Sequence, residues 1–371
     1  MEKGRPDNVK KHQRTVGPID IIASNVRGLG ASRLVNSLLP AIQRHHADFI
    51  DTVWLPETGP LKDYLSQPVP GVRYAIYRRY VPNALSRLAE CLGMGAMVYG
   101  NRAKLVLGDL PIVCGGKQVV FVHNTFLLPG SYAKNLTSGL YRFLIRSYFR
   151  FSLLFAYRII VQTQVMADRV AQSYPSSRDR IVVIRQPAPD WVLNFPVPER
   201  RKIEPQDRLR LFFPSDPSPH KNHDLLTRAA DLRGFPETIE SISITVSDSE
   251  VASGSQLNHI GRLTPEEMRR AYATADALVF PSLEESYGLP LVEAMFLGMP
   301  IVCSDRPYAR ELCGDVAVYF DPCDPQSLVV ALADLRDRMS RGYSPDWTEQ
   351  LAKLPSDWDE VAERMIDVVL K

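Results

Sequence analysis

The chain has 371 residues, of which 45% are hydrophobic and 23% are charged, and its formal net charge is +2. This composition is typical of a globular protein and excludes a disordered or fibrous one, and the length predicts two domains. The nearly balanced charge excludes a general electrostatic attraction to nucleic acid. No uninterrupted apolar run reaches the roughly 20 residues of a membrane-spanning helix, so we expect a soluble chain, at most peripheral to a membrane.

The N-terminus and the cysteines indicate a reducing compartment. Residues 1–15 are polar and basic and lack the apolar core of a signal peptide, which predicts a flexible tail. The cysteines are odd in number and form no CxxC pair: Cys91, Cys114, Cys303, Cys313 and Cys323. Unpaired thiols are typical of cytosolic proteins. We therefore predict a cytoplasmic protein, either free or bound to the inner face of the membrane.

Strand patterns alternate with helical patterns in the first half of the chain. The predicted strands are Pro18–Ala23, Lys104–Leu107, Gln118–Val122 and Arg158–Gln162. One helix is expected from about Ala31, and a long helix fits Ser138–Tyr157. The alternation is typical of an α/β domain with a parallel sheet, which we assign to residues 16–190.

A proline-rich segment separates this half from a second α/β pattern. Residues 186–208 hold five prolines, which indicates a linker. Strands are then predicted at Leu209–Phe213, Ile242–Val246 and Ala277–Phe280. The last helix begins near Ser356, which resembles a capping box together with Asp359. We divide this part of the chain into a linker at residues 191–208, a second domain at residues 209–345 and a closing segment at residues 346–371.

The segment at residues 280–300 carries the strongest chemical signal. Two carboxylates, Glu285 and Glu293, flank Gly288 and Pro290. Because proline is best placed in the first turn of a helix, we expect Glu285 in a loop and Glu293 within the first two turns of the helix that follows. The helix N-terminus suits a phosphate, and ionised carboxylates accept hydrogen bonds from sugar hydroxyls. Phosphate and polyol sites side by side predict a nucleotide-sugar pocket.

Here the chain resembles the donor-site motif of retaining glycosyltransferases of family 4, and the resemblance extends from Gly261 to Pro325. It implies the GT-B fold, in which two Rossmann-like, doubly wound α/β domains face a cleft and the last helix crosses back to the first domain. It also implies transfer of a sugar from a GDP- or UDP-linked donor to a hydroxyl of a glycan or lipid-linked glycan, with retention at the anomeric carbon. No metal or other cofactor is expected.

The resemblance assigns roles to single residues. Glu285 would orient the donor sugar, and Glu293 would bind the ribose hydroxyls. His123, at the end of a predicted strand, would contact the sugar from the first domain, and Lys221 would neutralise the diphosphate. We thus expect His123, Lys221 and Glu285 to be catalytic. The expected donor-binding residues are Gly28, Gly30, Lys221, Asn222, Ser286, Tyr287, Gly288, Leu289 and Glu293.

The cationic part of the donor site departs from the family. Many relatives carry an arginine where this chain has Asp216, so one of two expected cations is missing. Either Lys221 acts with helix N-termini alone, or another arginine contributes. The candidate arginines are Arg27, Arg33 and Arg262.

Three other motifs have a structural interpretation beside a functional one. The loop at residues 28–30 is either a tight turn or a phosphate contact, because glycines allow a close backbone approach. The segment at residues 108–111 is either a turn or part of the cleft. His220 and His223 have the spacing of metal ligands on a helix, but no third ligand is evident nearby, so we expect no metal there.

A basic stripe on the long helix, Arg142, Arg146 and Arg150, is surrounded by aromatic residues. We favour an amphipathic core helix with a solvated basic edge, and the alternative is attachment to an anionic membrane surface. The function also has rivals: a non-catalytic scaffold of the GT-B fold that binds nucleotide sugars, which Asp216 keeps open, and a GT-B nucleotide-sugar epimerase.

Overall fold

The computed structural model describes residues 17–26, 29–59, 61, 64, 68–78, 89–90, 95–131, 137–247 and 256–371. The predicted tail at residues 1–15 lies outside these ranges, as do Arg27 and Gly28.

The described part of the first half forms a seven-stranded, wholly parallel sheet. Its strands β1 to β7 are Ile19–Ile22, Ile50–Pro56, Arg73–Tyr77, Lys104–Val106, Gln118–Phe121, Ala156–Val161 and Ile181–Val183. Their spatial order is β3-β2-β1-β4-β5-β6-β7. The order reverses between β1 and β4, and such a switch point opens a crevice at the carboxyl ends of the strands.

The second half repeats this arrangement with a six-stranded parallel sheet. Its strands β8 to β13 are Leu209–Phe213, Ile239–Ile244, Leu257–His259, Ala277–Phe280, Ile301–Ser304 and Val318–Phe320. Their spatial order is β10-β9-β8-β11-β12-β13. Strand β11 is buried along its whole length, as expected of a parallel sheet that is covered on both faces. Two Rossmann-like, doubly wound domains are therefore confirmed.

Helices cover both sheets. In the described residues, α1 to α13 are Leu29–His46, Gly95–Tyr99, Thr137–Ser152, Gln164–Ser173, Asp190–Leu193, His223–Ala230, Phe235–Thr238, Pro265–Thr274, Leu289–Phe296, Pro307–Cys313, Pro325–Ser340, Thr348–Leu351 and Trp358–Leu370. No helix among these combines the length and the apolar character that crossing a membrane requires.

The closing helix α13 lies on the first domain. It packs against α1, and its buried Trp358 belongs to the core of the first sheet. The Trp358 indole donates a hydrogen bond to the carbonyl of Ala188 at 2.9 Å. The predicted cap was wrong by one position: Asp357, not Ser356, is the N-cap, because its carboxylate accepts from the backbone N–H of Glu360 at 2.9 Å.

The predicted long helix at residues 138–157 was wrong at its C-terminal end. Helix α3 ends at Ser152, a short 3₁₀ turn follows, and β6 begins at Ala156. Tyr157 therefore lies in a strand. The β-branched residues after it pair in register with β5 and β7, and this pairing outweighs the helical pattern of the preceding residues.

The segment at residues 191–208 is fixed to the second domain after the short helix α5. The Arg200 guanidinium donates hydrogen bonds to the carbonyls of Tyr272 at 2.6 Å, Ala275 at 3.1 Å and Leu297 at 2.9 Å. These contacts fix the conformation of the segment that its proline content predicted to be a linker.

Candidate functional site

A cavity of about 320 Å³ lies between the two domains, at the carboxyl ends of strands from both sheets. Helix α1 and the loops after β5 and β6 line it from the first domain, and the loops after β8 and β11 line it from the second. The predicted site residues that border this cavity are Gly30, His123, Lys221, Glu285, Ser286, Tyr287, Gly288, Leu289 and Glu293. These residues come from distant parts of the sequence, and the structure brings them to one place.

Lys221 and Glu285 form a buried ion pair on the wall of the cavity. Lys221 ends a 3₁₀ turn between β8 and α6, and its ammonium donates a hydrogen bond to a Glu285 carboxylate oxygen at 2.6 Å. The two side chains are only 11% and 12% exposed. The ammonium and the carboxylate therefore largely neutralise each other on the cavity wall.

The second carboxylate follows a helix start that the sequence predicted. Gly288 adopts a φ of +99°, a conformation that favours glycine, and α9 begins directly after it with Pro290 in its first turn. Glu293 lies one turn further on and is 1% exposed. Its side chain nevertheless borders the cavity, so the loop and the helix place Glu285 and Glu293 on the same site.

Tyr272 is a partner of Glu293 that sequence reasoning missed. Its hydroxyl, carried by α8, donates a hydrogen bond to a Glu293 carboxylate oxygen at 2.6 Å, and both groups are buried. Burial, the largest influence, raises the pKa of Glu293, and the charge of Arg33 and the Tyr272 hydroxyl partly offset that rise. Tyr272 lies 21 positions before Glu293 on another helix, so no local motif connects the two.

Asp109 holds His123 from the end of the neighbouring strand. One carboxylate oxygen of Asp109 accepts from the backbone N–H of His123 at 2.8 Å, and the other lies 3.3 Å from Nε2 of its ring. Asp109 has a φ of +68°, which aspartate tolerates better than most residues. Nδ1 of His123 is buried without a hydrogen-bond partner among the described residues. The segment at residues 108–111 thus positions a site residue as well as forming a turn.

Asp216 is part of a turn in the loop after β8. Its carboxylate accepts from the backbone N–H of Ser218 at 2.8 Å, and its carbonyl lies 2.9 Å from Nε2 of His223. Burial, the largest influence, would raise the pKa of Asp216, but Lys221 and the hydrogen bonds from Ser218 outweigh it and hold that pKa below its ordinary value. Asp216 is therefore a carboxylate at neutral pH.

Arg33 and Arg262 both border the cavity, whereas Arg27 lies outside the described residues. Arg33 is half-buried in the second turn of α1, and Arg262 is exposed at the rim. Two of the three arginines that were candidates for the missing cation therefore face the site.

Several hydrogen bonds join the two domains beside the cavity. The Tyr287 hydroxyl accepts from the backbone N–H of Gln186 at 3.1 Å and also donates to its carbonyl. The Glu311 carboxylate accepts from the first two N–H groups of α4, those of Gln164 and Val165, each at 2.8 Å. Because those groups have no partner within their own helix, the second domain supplies the cap of a helix in the first.

A second and larger cavity, of about 770 Å³, adjoins the ion pair at Glu285. Glu285 borders both cavities, and Arg169 and Arg306 line the larger one. Asn222 also faces this larger cavity, with its amide donating to the carbonyls of Pro281 and Pro322. The smaller cavity is the better candidate because it collects the histidine, the lysine and both carboxylates.

The histidines after β8 show no arrangement for a metal. In the described ranges, no group of three or more His, Cys, Asp or Glu side chains has the geometry to hold a metal ion. Burial lowers the pKa of both His220 and His223, which favours neutral rings. Metal independence stays a prediction.

Helix α3 exposes apolar side chains that an amphipathic core helix would bury. Phe143 is 67% exposed and Leu154, in the turn that follows the helix, is 69% exposed. Arg142 and Arg146 point back to the protein: Arg142 donates to the Ser131 carbonyl at 3.0 Å and Arg146 to the Ser131 hydroxyl at 2.7 Å. The outer surface is thus largely apolar, and our preferred interpretation of a solvated basic edge was wrong for these two arginines.

Part of the second domain matches a known protein family. Residues 248–340 match the family model described as Glycosyl transferases group 1. The chain is 26% identical to the O-antigen chain mannosyltransferase RfbU of Salmonella typhimurium over 296 residues, which cover 70% of this chain and 78% of that protein. It is 36% identical to the O-antigen chain mannosyltransferase B of Escherichia coli over 72 residues, 19% of either chain.

Solved structures are similar along almost the whole chain. WaaG, a glycosyltransferase involved in lipopolysaccharide biosynthesis, superposes with a TM-score of 0.60 at 14% identity and covers 94% of this chain and 95% of its own. Anabaena Alr3699/HepE in complex with UDP and glucose gives 0.58 at 16% identity, with 95% and 97% covered. These similarities confirm the GT-B fold.

Proposed function

Because the chain is a group 1 glycosyltransferase with the GT-B fold, we propose that it transfers a sugar from a GDP- or UDP-linked donor to a hydroxyl of a glycan or lipid-linked glycan, with retention of anomeric configuration. One observation carries the proposal: Lys221, Glu285, Glu293 and His123 converge on one cavity between the domains. The mannosyltransferase names of two relatives favour mannose as the sugar and O-antigen or another cell-surface polysaccharide as the product.

The ion pair provides the central step of the proposed mechanism. When the donor binds, the contact between Lys221 and Glu285 opens. Lys221 then binds the diphosphate, and Glu285 accepts hydrogen bonds from the sugar hydroxyls. The bond between the anomeric carbon and the diphosphate oxygen then breaks, the acceptor oxygen bonds to that carbon on the same face, and the acceptor proton leaves with the diphosphate. Lys221 stabilises the negative charge that develops on the leaving group, an effect that usually dominates catalysis of this kind.

The remaining residues position the donor. Glu293 accepts hydrogen bonds from the ribose hydroxyls, and Tyr272 fixes its carboxylate. His123, whose ring Asp109 holds in place, contacts the sugar from the opposite domain. The hydrogen bonds between the domains keep the cleft closed and exclude water, which would otherwise hydrolyse the donor.

A metal-free thermal-shift screen tests this function. The purified chain is heated with UDP, GDP and ADP and with their common sugar conjugates. A ligand that binds only the folded protein adds about 2.7 kcal/mol of stability at 100 times its Kd. We expect the nucleotides and nucleotide sugars of one base to raise the melting temperature. In a separate assay, the nucleotide sugar of that base should donate its sugar to a polysaccharide acceptor. No shift with any nucleotide would contradict the proposal.

The scaffold is a second candidate function, because Asp216 and Glu285 share Lys221 and reduce the positive charge that this lysine offers to a diphosphate. A scaffold would give the same thermal shift. It would show no turnover with any acceptor and no hydrolysis of the bound donor, so the transfer assay separates the two.

We also propose that the exposed face of α3 attaches the protein to an anionic membrane surface. The exposed apolar side chains of α3, Phe143, Leu144 and Phe151, and Leu154 in the turn that follows lie near the exposed Arg150 in the sequence. Apolar and basic side chains together suit such a surface. Co-sedimentation with phosphatidylcholine vesicles that contain phosphatidylglycerol tests it. Binding should fall at least fivefold in a Phe143→Ser/Leu144→Ser variant, and equal binding would contradict the proposal.

A further inference from the structure

The smaller cavity is lined by charges that cancel one another. Its ionisable side chains include three cations, Arg33, Lys221 and Arg262, and three carboxylates, Asp216, Glu285 and Glu293. A nucleotide diphosphate brings at least two further negative charges. The binding of the diphosphate therefore depends on which of the three cations are not already paired with a carboxylate of the cavity.

Lys221 is the least free of the three cations. Its ammonium is 2.6 Å from Glu285, and its charge also acts on Asp216, where it helps to keep the carboxylate ionised. Two carboxylates thus share one lysine. Even after Glu285 turns to the sugar, Asp216 continues to compensate the charge of Lys221, so the diphosphate needs a second cation.

Arg33 meets that need from the opposite domain. It lies in α1, borders the cavity and is half-buried. Within the part of the chain that the structure describes, it makes no hydrogen bond or ion pair. Its charge reaches across the cleft to Glu293 and Tyr272, which places it beside the ribose end of the site. Arg262, in contrast, is exposed at the rim, where solvent screens its charge.

We propose that Arg33 binds the diphosphate of the donor and takes the place of the cation that Asp216 replaces in the loop after β8. This inference rests on the proposed function. A guanidinium presents paired N–H donors that match phosphate oxygens. Because Arg33 belongs to the first domain and Lys221 to the second, the diphosphate is complexed only when the two domains face each other across the cleft.

The test compares ligands with and without phosphates. The Kd of UDP and GDP is measured by calorimetry, and that of uridine and guanosine by ligand-observed NMR, for the wild type and Arg33→Gln. Losing one charge-assisted hydrogen bond weakens binding on the order of 10- to 100-fold. We expect this loss for the diphosphate that the wild type binds, an unchanged Kd for its nucleoside, and partial recovery in Arg33→Lys.

Arg270→Gln is the matched control, since Arg270 is an exposed arginine of α8 that does not line the cavity; its Kd values should equal those of the wild type. A loss below threefold in Arg33→Gln, with an unchanged melting temperature, would overturn the assignment. An equal rise in the Kd of the diphosphate and of its nucleoside would also overturn the assignment. Arg33 would then affect only the contact of the ribose with Glu293 and would not bind the phosphates. If the wild type binds neither diphosphate, the proposed function fails together with this inference.

Discussion

In both sheets the first strand along the chain lies inside and the order reverses beside it, so the two domains present equivalent crevices to each other. They fill these crevices differently. The second domain contributes Lys221, Glu285 and Glu293 from two neighbouring strand–loop–helix units, and these residues already contact partners in their own domain. The first domain contributes Arg33 and His123 from separate elements, and both border the cavity.

The two domains therefore contribute different kinds of side chain to the cavity. The second domain holds its charged side chains in contacts with its own residues, whereas the first contributes single side chains that border the cavity from the opposite side. The same strand order therefore supports two roles, because function resides in the loops at the strand ends and not in the sheet itself. Substitutions in the two domains should accordingly have different signatures.

Breaking the ion pair of the second domain should have the largest effect. In Lys221→Met, kcat should fall about 10²- to 10³-fold, the usual range when a group that stabilises transition-state charge is lost. The variant should also lose about 3 kcal/mol of stability, because Glu285 remains buried and unpaired. Steady-state kinetics and denaturant unfolding measure the two effects.

The double variant Lys221→Met/Glu285→Gln separates these effects. Replacing both charges should restore much of the free energy of unfolding, while kcat stays as low as in the single variant. Recovery of activity together with stability would mean that the pair has only a structural role.

In the first domain, Asp109→Asn should lower kcat about 3- to 10-fold, the contribution of one hydrogen bond. Asparagine tolerates the positive φ of this position but holds the His123 ring less firmly. The KM for the donor should change less than kcat, and the melting temperature should stay unchanged. A melting temperature that falls in parallel with kcat would indicate that Asp109 supports only the turn.

Weakening the contact between the domains should have a smaller effect. Glu311→Gln leaves one acceptor oxygen for the two N–H groups of α4, at a cost of about 1 kcal/mol. We expect the KM for the donor to rise about fivefold and kcat to change little. Glu349→Gln, in an exposed ion pair with Lys353, is the control, and an equal rise there would contradict a role in closure.

The smallest effect concerns the proton on Glu293. Its pKa is raised above the ordinary 4.5, so at a pH between 4.5 and the folded pKa the folded protein holds a proton that the unfolded chain has released. The free energy of unfolding therefore falls as the pH rises from about 4.5 through the folded pKa. Tyr272→Phe removes one influence that lowers this pKa and should extend that fall to higher pH. Donor KM at pH 7 should rise about threefold. Identical pH profiles would contradict the role of Tyr272.

Local patterns predicted the second domain best. Gly288 and Pro290 fixed where α9 begins, and with it the placement of Glu285 and Glu293, because both residues restrict the backbone by themselves. The end of α3 was predicted wrongly, since pairing of β6 with its neighbours, a contact distant in sequence, decides where the helix stops.

The contacts between elements that are distant in the sequence were not predictable from local patterns. Tyr272, Asp109 and Glu311 each act on a residue of another element, and a single sequence shows no spacing that links them. Arg33 remained one of several alternatives for the same reason: only the arrangement of the two domains shows that Arg33 and Arg262 border the cavity and that Arg33 is the more buried of the two.

The most direct test is a crystal structure of the chain with the nucleotide diphosphate that gives the largest thermal shift. We expect the diphosphate in the cavity of about 320 Å³, with its oxygens within hydrogen-bond distance of both Lys221 and Arg33. The ribose should contact Glu293, and the pair between Lys221 and Glu285 should be open. A nucleotide in the larger cavity beside Arg169 and Arg306, with that pair intact, would contradict it.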